Sequence, residues 1–134
     1  MYRCYVLLVL GRLEGYLQTA SVGLHTMWNE HFGISVVEMM AAGLLVIAHN
    51  SGGPAMDILQ PYNGAETGYL AITDQEYAEK MACALKSLAE HDGEVGHKIR
   101  QNGRESVDRF SDEVFSVEVI EKFSCFLGIA LGGS

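Results

Sequence analysis

The chain has 134 residues, enough for one domain with a real core and too few for two sizeable ones. Its 17 acidic against 9 basic residues give a formal charge of −8, which argues against a nucleic-acid backbone or an anionic bilayer as the main partner and leaves small ligands open. An apolar fraction of 49% with only two prolines fits a globular α/β domain, not a disordered chain.

At the start, Arg3 precedes an apolar run at residues 5–10, far short of the ~20 residues that a spanning helix needs. No small-x-small cleavage site follows closely, so a buried strand or helix is expected rather than a signal peptide. Leu13, Tyr16, Leu17 and Ala20 recur at helical spacing, and Ser21-Val22-Gly23-Leu24-His25 predicts a short strand opening into a polar loop at about residues 26–32. From Gly33, the run Ile34-Ser35-Val36-Val37-Glu38-Met39-Met40-Ala41-Ala42 predicts a helix stopped by Gly43. Residues 44–48 are apolar without interruption, which predicts a parallel strand covered on both faces, since a half-exposed strand would alternate.

Asn50-Ser51-Gly52-Gly53-Pro54 is a loop by composition, and parallel strands would bring it beside the loop that carries Glu30. A helical turn at Asp57-Ile58-Leu59 and a brief strand at Gly68-Tyr69-Leu70-Ala71 follow. Thr73 with Glu76 forms a capping-box pair, opening a helix whose inward face is Tyr77, Met81, Leu85 and Leu88 and which His91-Asp92-Gly93 ends. Val95, Ile99 and Val107 predict a weaker helix, weakened further by Gly103, at a cost of about 1 kcal/mol relative to Ala. Ser111 is the expected N-cap of a last helix with Phe115, Val119, Phe123 and Phe126 facing inward.

Cys4, Cys83 and Cys125 are odd in number, far apart and without a Cys-x-x-Cys pair, so neither a disulfide framework nor a zinc ribbon is suggested, and a reducing compartment fits best. His25, His31 and His49 fall near the two loops, but no paired His/carboxylate spacing on one element points to a metal. Ser51 is not a hydrolase nucleophile elbow, which needs glycines on both sides at the fixed Gly-x-Ser-x-Gly spacing, and neither a dinucleotide fingerprint nor a Walker A loop occurs. Lys98, Arg100, Arg104 and Arg109 are expected on a solvated helix face, and Trp28 is expected to pack on the core rather than stack on a ligand.

The candidate site is the pair Glu30 and Glu38, with seven residues between them. Open parallel sheets bind ligands outside the carboxyl ends of their strands, where Glu30, Gly33 and the Ser51-Gly52-Gly53 loop all fall. The first amides of the helix, at Gly33, Ile34 and Ser35, suit an anion such as phosphate. One glutamate is expected on the loop and the other two turns into the helix, on the stripe of Ile34, Ala41 and Ala42. A buried Glu38 would need partners, either the vicinal hydroxyls of a sugar or ribose or, more commonly, a structural Arg or Lys. Glu30 on its own could be merely solvated.

Glu30-His31-Phe32-Gly33, Glu38 and Met40-Ala41-Ala42-Gly43 together resemble the Glu-x7-Glu signature of retaining glycosyltransferases with two Rossmann-like lobes. More narrowly, Gly23-Leu24-His25-Thr26-Met27-Trp28-Asn29-Glu30-His31-Phe32-Gly33-Ile34, Ala48-His49-Asn50-Ser51-Gly52-Gly53-Pro54 and Phe110-Ser111-Asp112 resemble the α-1,2-mannosyltransferases that extend a dolichol-linked oligosaccharide from GDP-mannose. The resemblance implies an α/β fold, the last part of a Rossmann-like donor-binding lobe of the two-lobed GT-B type, over residues 13–127. Residues 1–12 are of uncertain membership, and residues 128–134 form a flexible tail.

The resemblance further implies that Glu30 lies against the donor hexose near the reacting carbon and that Glu38 accepts hydrogen bonds from the nucleotide ribose. Backbone amides at Gly33 and Ile34 would meet the sugar or diphosphate, His31 and Phe32 would shape the sugar pocket, and Ser51, Gly52 and Gly53 would let the donor approach the backbone. It implies no metal, no cofactor beyond the donor substrate, and a dolichol-linked acceptor at the cytosolic face of the endoplasmic reticulum. The family's basic Arg and Lys pair, acceptor lobe and membrane anchor correspond to parts outside this sequence, so these residues alone are expected to be catalytically weak or dead. A non-catalytic nucleotide-sugar-binding fragment, or another retaining glycosyltransferase of the same family, is the alternative.

Overall fold

The computed structural model describes residue 12 and residues 15–126; the apolar run at 5–10, Leu13 and the tail at 128–134 lie outside the described residues. Three parallel strands, β1 (Val22–His25), β2 (Leu45–His49) and β3 (Tyr69–Ala71), form a sheet in the order β1-β2-β3. Their register sets His25 beside Ala48 and His49 beside Ala71, so the carboxyl ends of all three strands lie along one edge. Helix α1 (Ile34–Ala41) links β1 to β2, and a π-helical turn (Pro54–Ile58) begins the route from β2 to β3. Three helices follow, α2 (Asp74–Ala89), α3 (Glu94–Ser106) and α4 (Asp112–Phe126), joined by short 3-10 turns at His91–Gly93 and Val107–Phe110.

Strand β2 is the centre of the core, and successive residues serve opposite faces. Val46 and Ala48 pack with Val36, Val37 and Met40 of α1 and with Ile58, Leu59 and Val107. Leu45 and Ile47 pack on the other face with Ala71, Ala84 and Ile99, bordered by Tyr77 and Met81. This two-sided burial is why residues 44–48 are continuously apolar, each buried Leu, Ile or Val stabilising the fold by roughly 1.5–3 kcal/mol.

The ends of the helices follow the local signals. Helix α1 closes in a Schellman arrangement, with Leu44 N–H donating to the Met39 carbonyl at 3.0 Å, Gly43 N–H to the Met40 carbonyl at 2.9 Å, and Gly43 at φ +84°. Arg100 reaches from α3 to donate from Nε to the Gly43 carbonyl, and Arg109 donates to the Asp57 carbonyl. These two arginines therefore brace neighbouring elements, Arg100 from a half-buried position and Arg109 from the solvated one expected of it. The Thr73–Glu76 capping box forms in both directions, and the Ser111 hydroxyl caps α4 by accepting from Val114 N–H at 3.3 Å.

Some inward faces differ from their expected positions. Leu85 and Val95 are exposed, and Ala84 is the residue of α2 that is fully buried, because α2 lies so close to the sheet that a small side chain fills the contact. Tyr16 is exposed, whereas Leu17 and Ala20 pack on the core. On α4, Phe115 and Phe123 are exposed, since that helix packs chiefly on the Val107–Phe110 turn and not on the sheet. Among the described residues no helix is long and apolar enough to cross a membrane.

Gly103, which weakens α3 by propensity, has a packing reason to be there: a Cβ at this position would lie 2.6 Å from the Thr67 carbonyl oxygen. Gly103→Ala should therefore destabilise the chain by about 1–3 kcal/mol in urea unfolding, even though it adds helix propensity of about 1 kcal/mol. Equal or greater stability would mean that the Thr67 backbone yields without cost.

Candidate functional site

The shared carboxyl edge brings together the loop after β1, residues 26–33, and the loop after β2, residues 50–53, and they are joined through backbone. Gly53 N–H donates to the Glu30 carbonyl at 2.8 Å, and Asn29 N–H donates to Ser51 Oγ at 2.8 Å. His49 Nδ1 lies 2.8 Å from the same hydroxyl. A Cβ on Gly52 would lie 2.2 Å from the Glu30 carbonyl oxygen, and one on Gly53 would lie 2.2 Å from the Phe32 carbonyl oxygen. Only glycine permits this approach, and Gly52 also adopts φ +56°. The Ser51-Gly52-Gly53 loop thus holds the Glu30 loop, and the Ser51 hydroxyl is engaged within the protein.

Glu30 is partly buried, with Oε2 4.0 Å from His25 Nε2. The His25 ring is largely buried and its Nδ1 has no hydrogen-bond partner among the described residues. Its carbonyl accepts from the Tyr77 hydroxyl at 2.9 Å, which fastens the end of β1 to α2. Burial raises the Tyr77 phenol above its ordinary value; for Tyr69, burial first and then the Glu66 charge do the same. Among the described residues no group of three His, Cys, Asp or Glu side chains gathers to hold a metal.

Gly33 enters α1 in the left-handed region, at φ 94° and ψ 48°, with the Pro54–Ile58 turn behind it. No side chain caps this helix and no acidic residue stands in its first turn. Val36 and Val37 donate to the Gly33 carbonyl, while among the described residues Ile34 and Ser35 N–H have no backbone acceptor. These amides and the positive end of the helix dipole can receive an anion without displacing a protein group.

Because α1 begins at Ile34, Glu38 lies little more than one turn into the helix, not two. It shares a face with Ile34, Ala41 and Ala42 as expected, but that face is exposed, and Val36, Val37 and Met40 form the buried one. Glu38 is therefore not a buried carboxylate, and among the described residues no cation lies within ion-pair distance of it. Among the described residues nothing bonds to either of its oxygens, which leaves both open to a ligand.

Trp28 is 72% exposed and does not pack on the core, standing on the same loop as Glu30 beside the exposed Met27. His31 is exposed too. Phe32 meets Phe110 edge to face, with ring centroids 5.6 Å apart, and joins Arg109, Phe110 and Phe115 in lining a cleft of about 530 Å³ that contains neither glutamate. His25 ends β1 as its place in the sequence predicts, while its approach to Glu30 and its link to Tyr77 are the supporting contacts that sequence spacing missed. Tyr77 stood out merely as one apolar position of a helix.

Residues 5–106 match the family model described as Glycosyl transferases group 1. The chain belongs to this family. The glycosyl transferase relatives include proteins named GDP-Man:Man(3)GlcNAc(2)-PP-Dol alpha-1,2-mannosyltransferase from Mus musculus and Homo sapiens, each 53% identical over 105 residues, 78% of this chain and 20% of the relative. A protein of the same name from Neurospora crassa is 45% identical over 107 residues, 80% of this chain and 18% of the relative. The chain spans about a fifth of the length of these curated relatives. No solved structure matches it.

Gly43 and Gly52 both adopt positive φ, but a Cβ meets nothing within 4 Å at Gly43 and meets backbone at Gly52. Gly52→Ala should thus cost more stability than Gly43→Ala, the latter losing about 1–2 kcal/mol from backbone strain alone; equal losses in urea unfolding would contradict the contact. The raised phenols favour the protonated fold, so their contribution is fully present below the unfolded tyrosine value near pH ~10 and is lost as pH rises through the folded values. Unfolding free energy should fall above that pH, and Tyr77→Phe should reduce the alkaline fall.

Proposed function

We propose that the carboxyl edge of this sheet binds the nucleotide sugar GDP-mannose, as the donor half of a two-lobed GT-B enzyme. In this reading the enzyme transfers mannose, with retention of configuration and an α-1,2 linkage, to a dolichol-linked oligosaccharide at the cytosolic face of the endoplasmic reticulum membrane. The relatives' printed names support the donor and the acceptor. The observation that carries the reading at the level of chemistry is the uncapped start of α1, open to an anion and flanked in sequence by Glu30 and by an exposed, unpaired Glu38.

The chemistry asks for two stabilised charges, positive near the anomeric carbon as its bond to the diphosphate oxygen breaks, and negative on the departing GDP. Glu30 is suited to the first, its carboxylate lying against the hexose. The Ile34 and Ser35 amides are suited to the sugar or the diphosphate beside it. Glu38, with two free oxygens, is suited to accept from the two ribose hydroxyls, an arrangement in which each hydrogen bond has a charged acceptor and is worth roughly 1.5–3 kcal/mol. His31 and the exposed Trp28 border the hexose from the Glu30 loop, while the Phe32 ring turns to Phe110 and contributes to the pocket through its main chain.

Calorimetry on the 134-residue chain tests the donor half. Glu38→Ala should weaken GDP and GDP-mannose alike by about tenfold or more, whereas Glu30→Ala should weaken GDP-mannose and leave GDP nearly unchanged. Unchanged affinity in Glu38→Ala would make that residue a surface carboxylate and remove the ribose contact.

A further inference from the structure

We infer that Ser51 and His49 are positioning residues that set the main-chain conformation of Glu30. The Glu30 carboxylate meets His25 Nε2 only at 4.0 Å, beyond hydrogen-bond length, so among the described residues no close side-chain partner fixes it. Its placement has to come from the main chain. On one side that chain is held by Gly53 N–H on the Glu30 carbonyl at 2.8 Å. On the other, Asn29 adopts φ +53°, a left-handed turn conformation that asparagine accepts more readily than other residues with a Cβ, and its N–H donates to Ser51 Oγ.

The hydroxyl can serve both of its partners at once. It has two lone pairs and one hydrogen. Asn29 N–H occupies one lone pair at 2.8 Å, leaving the hydrogen for an unprotonated His49 Nδ1, or the second lone pair for a protonated one. The clasp accordingly persists in either protonation state of the imidazole. His49 ends β2 between its neighbours in the sheet, so the clasp ties the Glu30 loop to the most deeply buried strand of the fold. Displacing a reacting group by about 1 Å can cost on the order of a hundredfold in rate, which is the reason that a hydroxyl remote from the ligand would matter.

The ligand arm of the test rests on the donor-site reading; the structural arm does not. In the free chain, Ser51→Ala should speed hydrogen exchange at the Asn29 amide by about tenfold and move the His49 Nδ1 nitrogen signal, and Ser51→Thr, which keeps the hydroxyl, should restore both. His49→Leu should speed the same amide less, and His49→Asn, which keeps a polar atom near the Nδ1 position, should lie closer to the native chain. Unaltered Asn29 exchange in Ser51→Ala overturns the inference. Where the native chain prefers GDP-mannose to GDP, Ser51→Ala should bring that preference close to one without altering GDP affinity; a retained preference would also overturn it. A native chain that binds neither nucleotide refutes the donor reading alone, and the exchange and nitrogen signals then decide the clasp by themselves.

Discussion

The burial of β2 on both faces is the constraint on which everything else in this chain rests. A five-residue strand with Leu45 and Ile47 on one side and Val46 and Ala48 on the other has no face for water. It must therefore have helices above and below, and it must have neighbours on both edges to satisfy its backbone. Parallel pairing with β1 and β3 follows, and parallel pairing puts every strand's carboxyl end on one edge. The neighbourhood of Glu30 and Ser51 is thus a consequence of how a short apolar segment hides itself.

Adjacent loops would still be loose without the second device, the packing of backbone on backbone. Gly52 and Gly53 press onto the carbonyls of Glu30 and Phe32 with no side chain between, and Gly103 does the same to Thr67 on the far side of the core. In each place the removal of a Cβ exchanges propensity for proximity. The result at the sheet edge is a carboxylate on a loop whose main chain is held from both sides, close to a helix start whose first amides have no backbone acceptor among the described residues. That is a rigid, electrically polarised corner rather than an enclosed cavity, and it suits a ligand with a polar, charged middle.

What was legible in the sequence was what short-range chemistry determines. Thr73 and Glu76 are three residues apart, so their reciprocal cap can be read from the letters, and Gly43 marks its helix end because only the left-handed region is needed there. Uninterrupted apolar character identified β2, and the resemblance to a glycosyltransferase family was borne out by the match over residues 5–106. Contacts between distant residues could not be read in this way. Nothing in Asn29 or Ser51 announces a bond across 22 positions, and Tyr77 looked like any other helix residue, although its hydroxyl spans 52 positions to the His25 carbonyl. Periodicity likewise marks a stripe without saying whether anything covers it, which is why Phe115 and Phe123 were expected inside and are found outside.

Glu38 is the sharpest instance of that distinction. Its neighbours at helical spacing, Ile34, Ala41 and Ala42, are apolar or small, and such a stripe normally turns inward. Here Val36, Val37 and Met40 are bulkier and meet the sheet, so the stripe with the larger apolar side chains takes the core and the one with Glu38 turns outward. A carboxylate on a buried stripe would have to find a cation to offset its desolvation, and the commonest outcome would be a structural pair with no ligand chemistry left over. An exposed one retains its water until something displaces it, at little cost to the fold. The change of face therefore alters more than geometry: it turns a residue whose charge would have been consumed by the protein into one whose charge is available to a ligand.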